Sequence, residues 1–117
     1  MADCLFCKIR DGQIPSKRVW EDDRCFAFED INPQAPTHAL VVPRQHVATL
    51  NDLPALGAEG EGLVGHLVSV ASQIAAQRGH AAPGYRVVMN TNAGAGQTVF
   101  HLHLHLLGGR QLGWPPG

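Results

Sequence analysis

The segment His101-Leu-His-Leu-His-Leu-Leu107 alternates imidazole and isobutyl side chains without a break. In a β-strand successive side chains point to opposite faces and advance about 3.3 Å per residue. His101, His103 and His105 therefore share one face, with neighbours roughly 6–7 Å apart. Leu102, Leu104 and Leu106 take the other face, where a helix can cover them. Three imidazoles on one face are costly to bury, because each nitrogen needs a partner. The plain explanation is a partly exposed strand face with satisfied histidines. Two chemical readings compete with it. His-x-His on a strand can ligate one metal, as in His₃ zinc sites. A neutral imidazole can also attack phosphorus, its second nitrogen held by a hydrogen bond that fixes the tautomer.

The residues just upstream bear on that choice. Gly94-Ala-Gly96-Gln97-Thr98-Val99 offers close backbone approach and main-chain N–H groups immediately before the histidines. Such a loop suits an anion, usually a phosphate. Alone it would be an ordinary turn; beside three alternating histidines it is informative.

The rest of the chain supplies a small α+β domain. Asp3 is positioned to cap a short helix over Cys4–Arg10, ended by Asp11-Gly12. Arg18–Glu21 and Cys25–Glu29 read as strands around a turn, and Asp30–Thr37 reads as loop. His38–Val42 is a third strand, stopped by Pro43. Leu63, Leu67, Val70, Ala71 and Ile74 recur at helical spacing within a long helix over Glu59–Arg78, stopped by Gly79. Tyr85–Asn90 and His101–Leu107 are the fourth and fifth strands, on either side of the turn Thr91–Gln97. The expectation is an antiparallel five-stranded sheet with one long and one short helix, a single domain over residues 1–117.

Composition narrows the function. Of 117 residues, 44% are hydrophobic and 16% charged, with nine basic and ten acidic side chains for a net charge of −1. That excludes a disordered chain and argues against a nucleic-acid polymer as partner. The low charge content points to surface covered by another subunit. No apolar run reaches the roughly 20 residues of a membrane helix. The Met-Ala-Asp-Cys start has no signal-peptide character, and three cysteines are too few for a disulfide scaffold. A reduced, cytoplasmic setting is expected.

His101–Leu107 matches the signature of the histidine triad superfamily. Phe28-Glu-Asp30-Ile-Asn-Pro-Gln-Ala-Pro-Thr-His38, Pro43-Arg-Gln-His46, Gly96-Gln-Thr-Val-Phe-His101 and Gly108-Gly-Arg-Gln-Leu-Gly-Trp-Pro-Pro-Gly117 resemble its Hint branch. The resemblance covers nearly the whole chain except the region around Ala55–Pro83. It implies a HIT-like fold and a homodimer whose two sheets join into one of ten strands. It implies hydrolysis of purine nucleoside 5'-phosphoramidates, with AMP and an amine as products and no cofactor required for catalysis. His103 would be the nucleophile, forming a nucleotidyl-histidine that water cleaves. His105 would bind the phosphate near the leaving group. His101, with His38 behind it, would hold the proton network. Asn90, Gly96, Gln97 and Thr98 would surround the phosphate, with the Val99 amide as a further donor. Thr98 stands where the family commonly has serine, and the hydroxyl that would donate to the leaving nitrogen is retained. Asp30 would accept from both ribose hydroxyls, and Leu5, Phe6, Ile9, Phe28, Ile31 and Leu40 would form the purine slot. From periodicity alone those six are core residues. Trp114 would lie near the partner subunit's site and influence which amines are accepted.

Cys4-Leu-Phe-Cys7 has the spacing of a zinc site or a redox pair. The resemblance adds His46 and His101 as the matching histidines, which completes a Cys₂His₂ set suited to structural zinc. If His101 is a ligand, it orients the nucleophile and does not relay protons freely. Two unligated thiols are the alternative. Cys25 reads as a buried strand residue, and His66 and His80 read as surface residues. Three other functions stay open: a dinucleoside polyphosphate hydrolase of a sister branch, a nucleotide-binding regulator, and an enzyme whose three histidines hold a catalytic zinc.

Overall fold

In a computed structural model, which describes residues 3–117, five strands form one antiparallel sheet in the order β1-β2-β3-β5-β4. They are β1 (Arg18–Glu21), β2 (Cys25–Glu29), β3 (Thr37–Pro43), β4 (Tyr85–Val88) and β5 (Leu104–Gly108). A short helix α1 (Leu5–Arg10) precedes the sheet, and a long helix α2 (Ala58–Gln77) connects β3 to β4. Among the described residues no helix is long and apolar enough to cross a membrane.

Alternation along the strands sorts the core into two layers. Ala27, Ala39, Val41, Leu102, Leu104 and Leu106 face α2, where they meet Leu63, Leu67, Val70, Ala71 and Ile74. Phe26, Phe28, Leu40 and Val42 face the opposite side and pack with Phe6 and Ile9 of α1. β3 is buried along its whole length because it is central and covered on both faces. The α2 stripe falls where its sequence spacing places it. Its glycine-rich start survives because helix packing requires one of those glycines: a Cβ on Gly60 would sit 2.8 Å from the Leu53 carbonyl oxygen. The helix ends in a Schellman motif. Gly79 adopts φ 82°, its amide bonds to the Ala76 carbonyl, and the His80 amide bonds to the Ala75 carbonyl.

Several element ends differ from the sequence expectation. Cys4, not Asp3, caps α1: its sulfur accepts from the Cys7 amide at 3.2 Å. β4 stops at Val88, where its pairing with β5 ends at His105. The largest difference lies in the histidine segment, since only Leu104–Gly108 joins the ladder. β3 pairs with β5 no further than Val41↔Leu104. Beyond that point Pro43 has no N–H to give and the chain turns away. The Leu102 amide bonds instead to the Val47 carbonyl. His101 and His103 are thus held individually, outside the regular ladder.

Two histidines expected at the surface have structural duties. His80 Nε2 lies 2.8 Å from Thr37 Oγ1, and its ring covers Gly108 so closely that a Cβ there would approach it to 2.8 Å. His66 on α2 reaches Asp22 Oδ2 at 2.8 Å. Asp22 also accepts from Trp20 Nε1 and from the Arg24 and Cys25 amides, each at 2.8 Å. Burial alone would raise this carboxyl's pKa, but the four hydrogen bonds hold it well below the usual carboxylate range. The same burial, with Asp22 beside it, pushes the Cys25 thiol up to about 12.

Because the folded pKa of Asp22 is depressed, its contribution to stability is present above the ordinary carboxylate pKa near 4 and fades as pH falls below it. Asp22→Asn would turn an amide N–H toward Trp20 Nε1–H and His66, and should cost about 2 kcal/mol at pH 7. Denaturant midpoints measured from pH 7 to pH 3 should show the gap between wild type and variant narrowing. A gap independent of pH would remove the charge from this account.

Candidate active site

The face of the sheet under α1 carries the histidines. His101 is fully buried, His103 nearly so, and His105 partly open. Phe6 sets its ring edgewise against His103 at 4.9 Å and His101 at 6.0 Å, while the His103 and His105 rings are 5.0 Å apart. Burial pushes all three imidazoles below their ordinary pKa, His101 and His105 to about 4. At neutral pH each ring is therefore uncharged, with one N–H and one lone pair.

Main-chain partners decide which nitrogen holds the hydrogen. His103 Nδ1 lies 2.8 Å from the His101 carbonyl oxygen. A carbonyl only accepts, so His103 carries its hydrogen on Nδ1 and its lone pair on Nε2. For His105 the deciding partner is His38. The Gln34 amide donates to His38 Nδ1 at 3.0 Å. That nitrogen is unprotonated, so His38 carries its hydrogen on Nε2. His38 Nε2 lies 3.0 Å from His105 Nδ1 and donates to it. His105 consequently holds its own hydrogen on Nε2. Adjacent rings thus have opposite tautomers: His103 offers a lone pair at Nε2 and His105 offers a hydrogen at Nε2.

His38 does not stand behind His101, as the sequence reading expected. β3 places His38 and Leu40 on the face shared with His105, and Leu40 is the ladder partner of His105. Both nitrogens of His101 are engaged elsewhere. Nε2 donates to the Pro43 carbonyl at 2.8 Å. Nδ1 turns its lone pair to Cys4 Sγ at 3.3 Å and Cys7 Sγ at 3.6 Å. His46 Nδ1 lies 3.5 Å from Cys7 Sγ. The four donor atoms lie within 4.8 Å of one another. Zinc bound tetrahedrally, with Zn–S about 2.3 Å and Zn–N about 2.0 Å, spaces sulfur and nitrogen roughly 3.5 Å apart. A ligating histidine typically gives its other N–H to a backbone carbonyl, as His101 does. The Cys₂His₂ set therefore fits a structural zinc in donor type, spacing and supporting contact.

Asp22, Cys25 and His66 also cluster within such a distance. That carboxylate is already saturated by N–H donors, and the thiol resists ionisation, so the cluster closes on itself without a cation.

The loop between β4 and β5 is shaped from within. Gly96 takes a left-handed conformation at φ 91°, which closes a 3₁₀ turn over Ala93–Ala95. Gln97, expected to touch phosphate, is buried as a strut. Its Oε1 accepts from the Asn92 amide, its Nε2 donates to the Ala48 and Val99 carbonyls, and its own amide bonds to the Asn92 carbonyl. Thr98 is exposed and Val99 half-buried, and among the described residues no protein acceptor takes their amides. Asn90 is half-buried beside this loop.

The six expected slot residues divide. Phe6, Ile9, Phe28 and Leu40 form one buried cluster. Leu5 is 42% exposed and Ile31 is wholly in solvent. Asp30 places Oδ1 on the Asn32 amide at 2.8 Å and Oδ2 3.5 Å from His38 Nε2. Trp114 stands 84% exposed in the C-terminal tail. Sequence reasoning missed the Gln34 amide and the Pro43 carbonyl. Both act through the main chain, so no residue type marks them.

Residues 11–112 match the family model described as the HIT domain. The purine nucleoside phosphoramidase of Escherichia coli K12 is 50% identical over 111 residues, covering 95% of this chain and 91% of the relative. An uncharacterized HIT-like protein of Synechococcus elongatus is 52% identical over 98% of this chain and 97% of its own. Among solved structures, a HIT family hydrolase from Legionella pneumophila superimposes with a TM-score of 0.92 at 50% identity, covering 98% of this chain and all of that one. A histidine triad protein from Clostridium difficile gives 0.90 at 45% identity, covering 97% and 96%.

Proposed function

This chain belongs to the HIT domain family, and from that premise we propose that it hydrolyses purine nucleoside 5'-phosphoramidates to AMP and a free amine. The observation that carries this reading is the contact pattern of the two rings, His103 Nδ1 on the His101 carbonyl and His105 Nδ1 on His38 Nε2, which assigns them opposite tautomers. His103 Nε2 bonds to phosphorus as the P–N bond breaks. The departing nitrogen takes a proton from solvent, relayed by the Thr98 hydroxyl. Water then attacks the nucleotidyl-histidine, the electron pair of the P–N bond returns to His103 Nε2, and the water's proton passes to solvent. His105, uncharged, donates its Nε2–H to the phosphoryl group in both steps, where a neutral imidazole acts as an electrophile. The Thr98 and Val99 amides add donors to the nonbridging oxygens. Gln97 holds that loop in shape.

Asp30 accepts from the ribose hydroxyls, and charged acceptors make the stronger hydrogen bonds. The purine lies against Phe6, Ile9, Phe28 and Leu40, with Leu5 and Ile31 at the open rim. Zinc held by Cys4, Cys7, His46 and His101 supplies structure only; His101 keeps its carbonyl on His103 while its ring serves the metal. Two copies join their sheets, and Trp114 borders the partner subunit's site. Supporting that assembly, β4 is an edge strand with Tyr85 and Val87 exposed. The setting is cytoplasmic.

The test is a comparison of adenosine 5'-phosphoramidate with diadenosine tetraphosphate at equal concentration. The phosphoramidate should turn over at least about 100-fold faster, a difference of roughly 2.7 kcal/mol in the barrier. Rapid quenching followed by mass spectrometry should find the nucleotidyl adduct on the peptide containing His103. Faster cleavage of the tetraphosphate would assign the chain to dinucleoside polyphosphates instead.

A further inference from the structure

His38 Nε2 carries one hydrogen and faces two acceptors, His105 Nδ1 at 3.0 Å and Asp30 Oδ2 at 3.5 Å. The His38 side chain is 6% exposed and the Asp30 side chain 19%, so little water competes for that hydrogen. One hydrogen cannot serve both acceptors fully. The imidazole is nearer, but the carboxylate is charged and attracts the hydrogen more strongly at equal distance. Asp30 Oδ1 is occupied by the Asn32 amide, so the oxygen turned to His38 is the less satisfied one.

We propose that Asp30 couples sugar recognition to turnover. A vicinal diol that donates both hydroxyls to this carboxylate leaves the His38 Nε2–H wholly to His105, and thereby keeps the His105 hydrogen on Nε2, facing the reacting phosphoryl group. The inference rests on the reading of Asp30 as the ribose anchor and adds to it. Asp30 and His38 are in this respect positioning residues that act through His105. A sugar without the diol leaves Asp30 competing for the hydrogen. His105 Nδ1 then lacks a steady donor, and the ring can adopt the tautomer that presents a lone pair to the phosphoryl oxygens. Recognition of the ribose would therefore be read in kcat as well as in KM.

The experiment uses matched 5'-phosphoramidates of adenosine and 2',3'-dideoxyadenosine with the wild type and Asp30→Ala. For the wild type, loss of the diol should lower kcat about tenfold in addition to raising KM, a fraction of what removing one transition-state donor costs. For Asp30→Ala, KM for the adenosine compound should rise. Its kcat should be equal on the two substrates and above the wild-type value on the dideoxy compound. Nitrogen-15 spectra of the histidine rings supply a readout apart from activity. AMP should move the His105 Nδ1 signal of the wild type toward a hydrogen-bonded acceptor, and 2',3'-dideoxy-AMP should not. These spectra need no variant and decide the matter should Asp30→Ala misfold. A dideoxy substrate that changes KM alone, with identical spectra for the two nucleotides, overturns the coupling and leaves the ribose anchor standing. An unchanged KM for the adenosine compound in Asp30→Ala overturns the anchor and the coupling together.

Discussion

Replacing His103 with alanine should lower kcat for adenosine 5'-phosphoramidate by roughly 10⁴-fold or more, the scale seen when a nucleophile that works within a set is removed. The reason is local. Among the three histidines, His103 has its Nδ1–H fixed by a main-chain carbonyl and its Nε2 lone pair left for chemistry. His101 has both nitrogens engaged, and His105 carries its hydrogen on the exposed side of the relay. Neither can take over. The fold should persist, because the residue lies outside the β5 ladder and its side chain's hydrogen bond goes to the neighbouring main chain. Affinity for AMP, measured by calorimetry, should change by less than about tenfold, or 1.4 kcal/mol. A variant that keeps a rate within tenfold of wild type would place the nucleophile elsewhere.

The second large effect concerns the Cys₂His₂ cluster. The purified chain should contain one zinc by elemental analysis. Replacing Cys7 with serine, or prolonged exposure to a chelator, should remove it. A cavity of about 320 Å³ lined by Cys4, His46 and Thr98 gives a chelator access. Metal that binds only the folded chain is linked to stability, so its loss should cost several kcal/mol. In a domain of this size that is a fall of roughly 10–20 °C in Tm. Turnover should fall with it, since His101 is both a donor of the cluster and the residue whose carbonyl holds His103. Restored zinc should restore both. A chain that is purified without metal, and whose Tm is indifferent to chelator, would leave Cys4 and Cys7 as plain thiols.

How far the sequence was legible follows from what each feature depends on. The α2 stripe, the β1–β2 hairpin and the placement of Leu102, Leu104 and Leu106 against the helix all follow from side-chain periodicity, which is local. The motif around His103 named the family and hence the chemistry to look for. The end of the β5 ladder was not legible, because it depends on Pro43 in a distant strand. Nor was the partner of His38. Parity along β3 fixes the face it occupies, but register against β5 fixes which histidine it meets. His66 and Asp22 are separated by 44 residues and nothing in either neighbourhood announces the other.

By itself, then, the order of residues determined the succession of helices and strands and which side of each strand is apolar, since these depend on spacing along one segment. Only the folded arrangement decided which nitrogen of each imidazole is a donor. That depends on the Gln34 amide, the His101 carbonyl and the Pro43 carbonyl, groups every sequence carries and only tertiary structure aims.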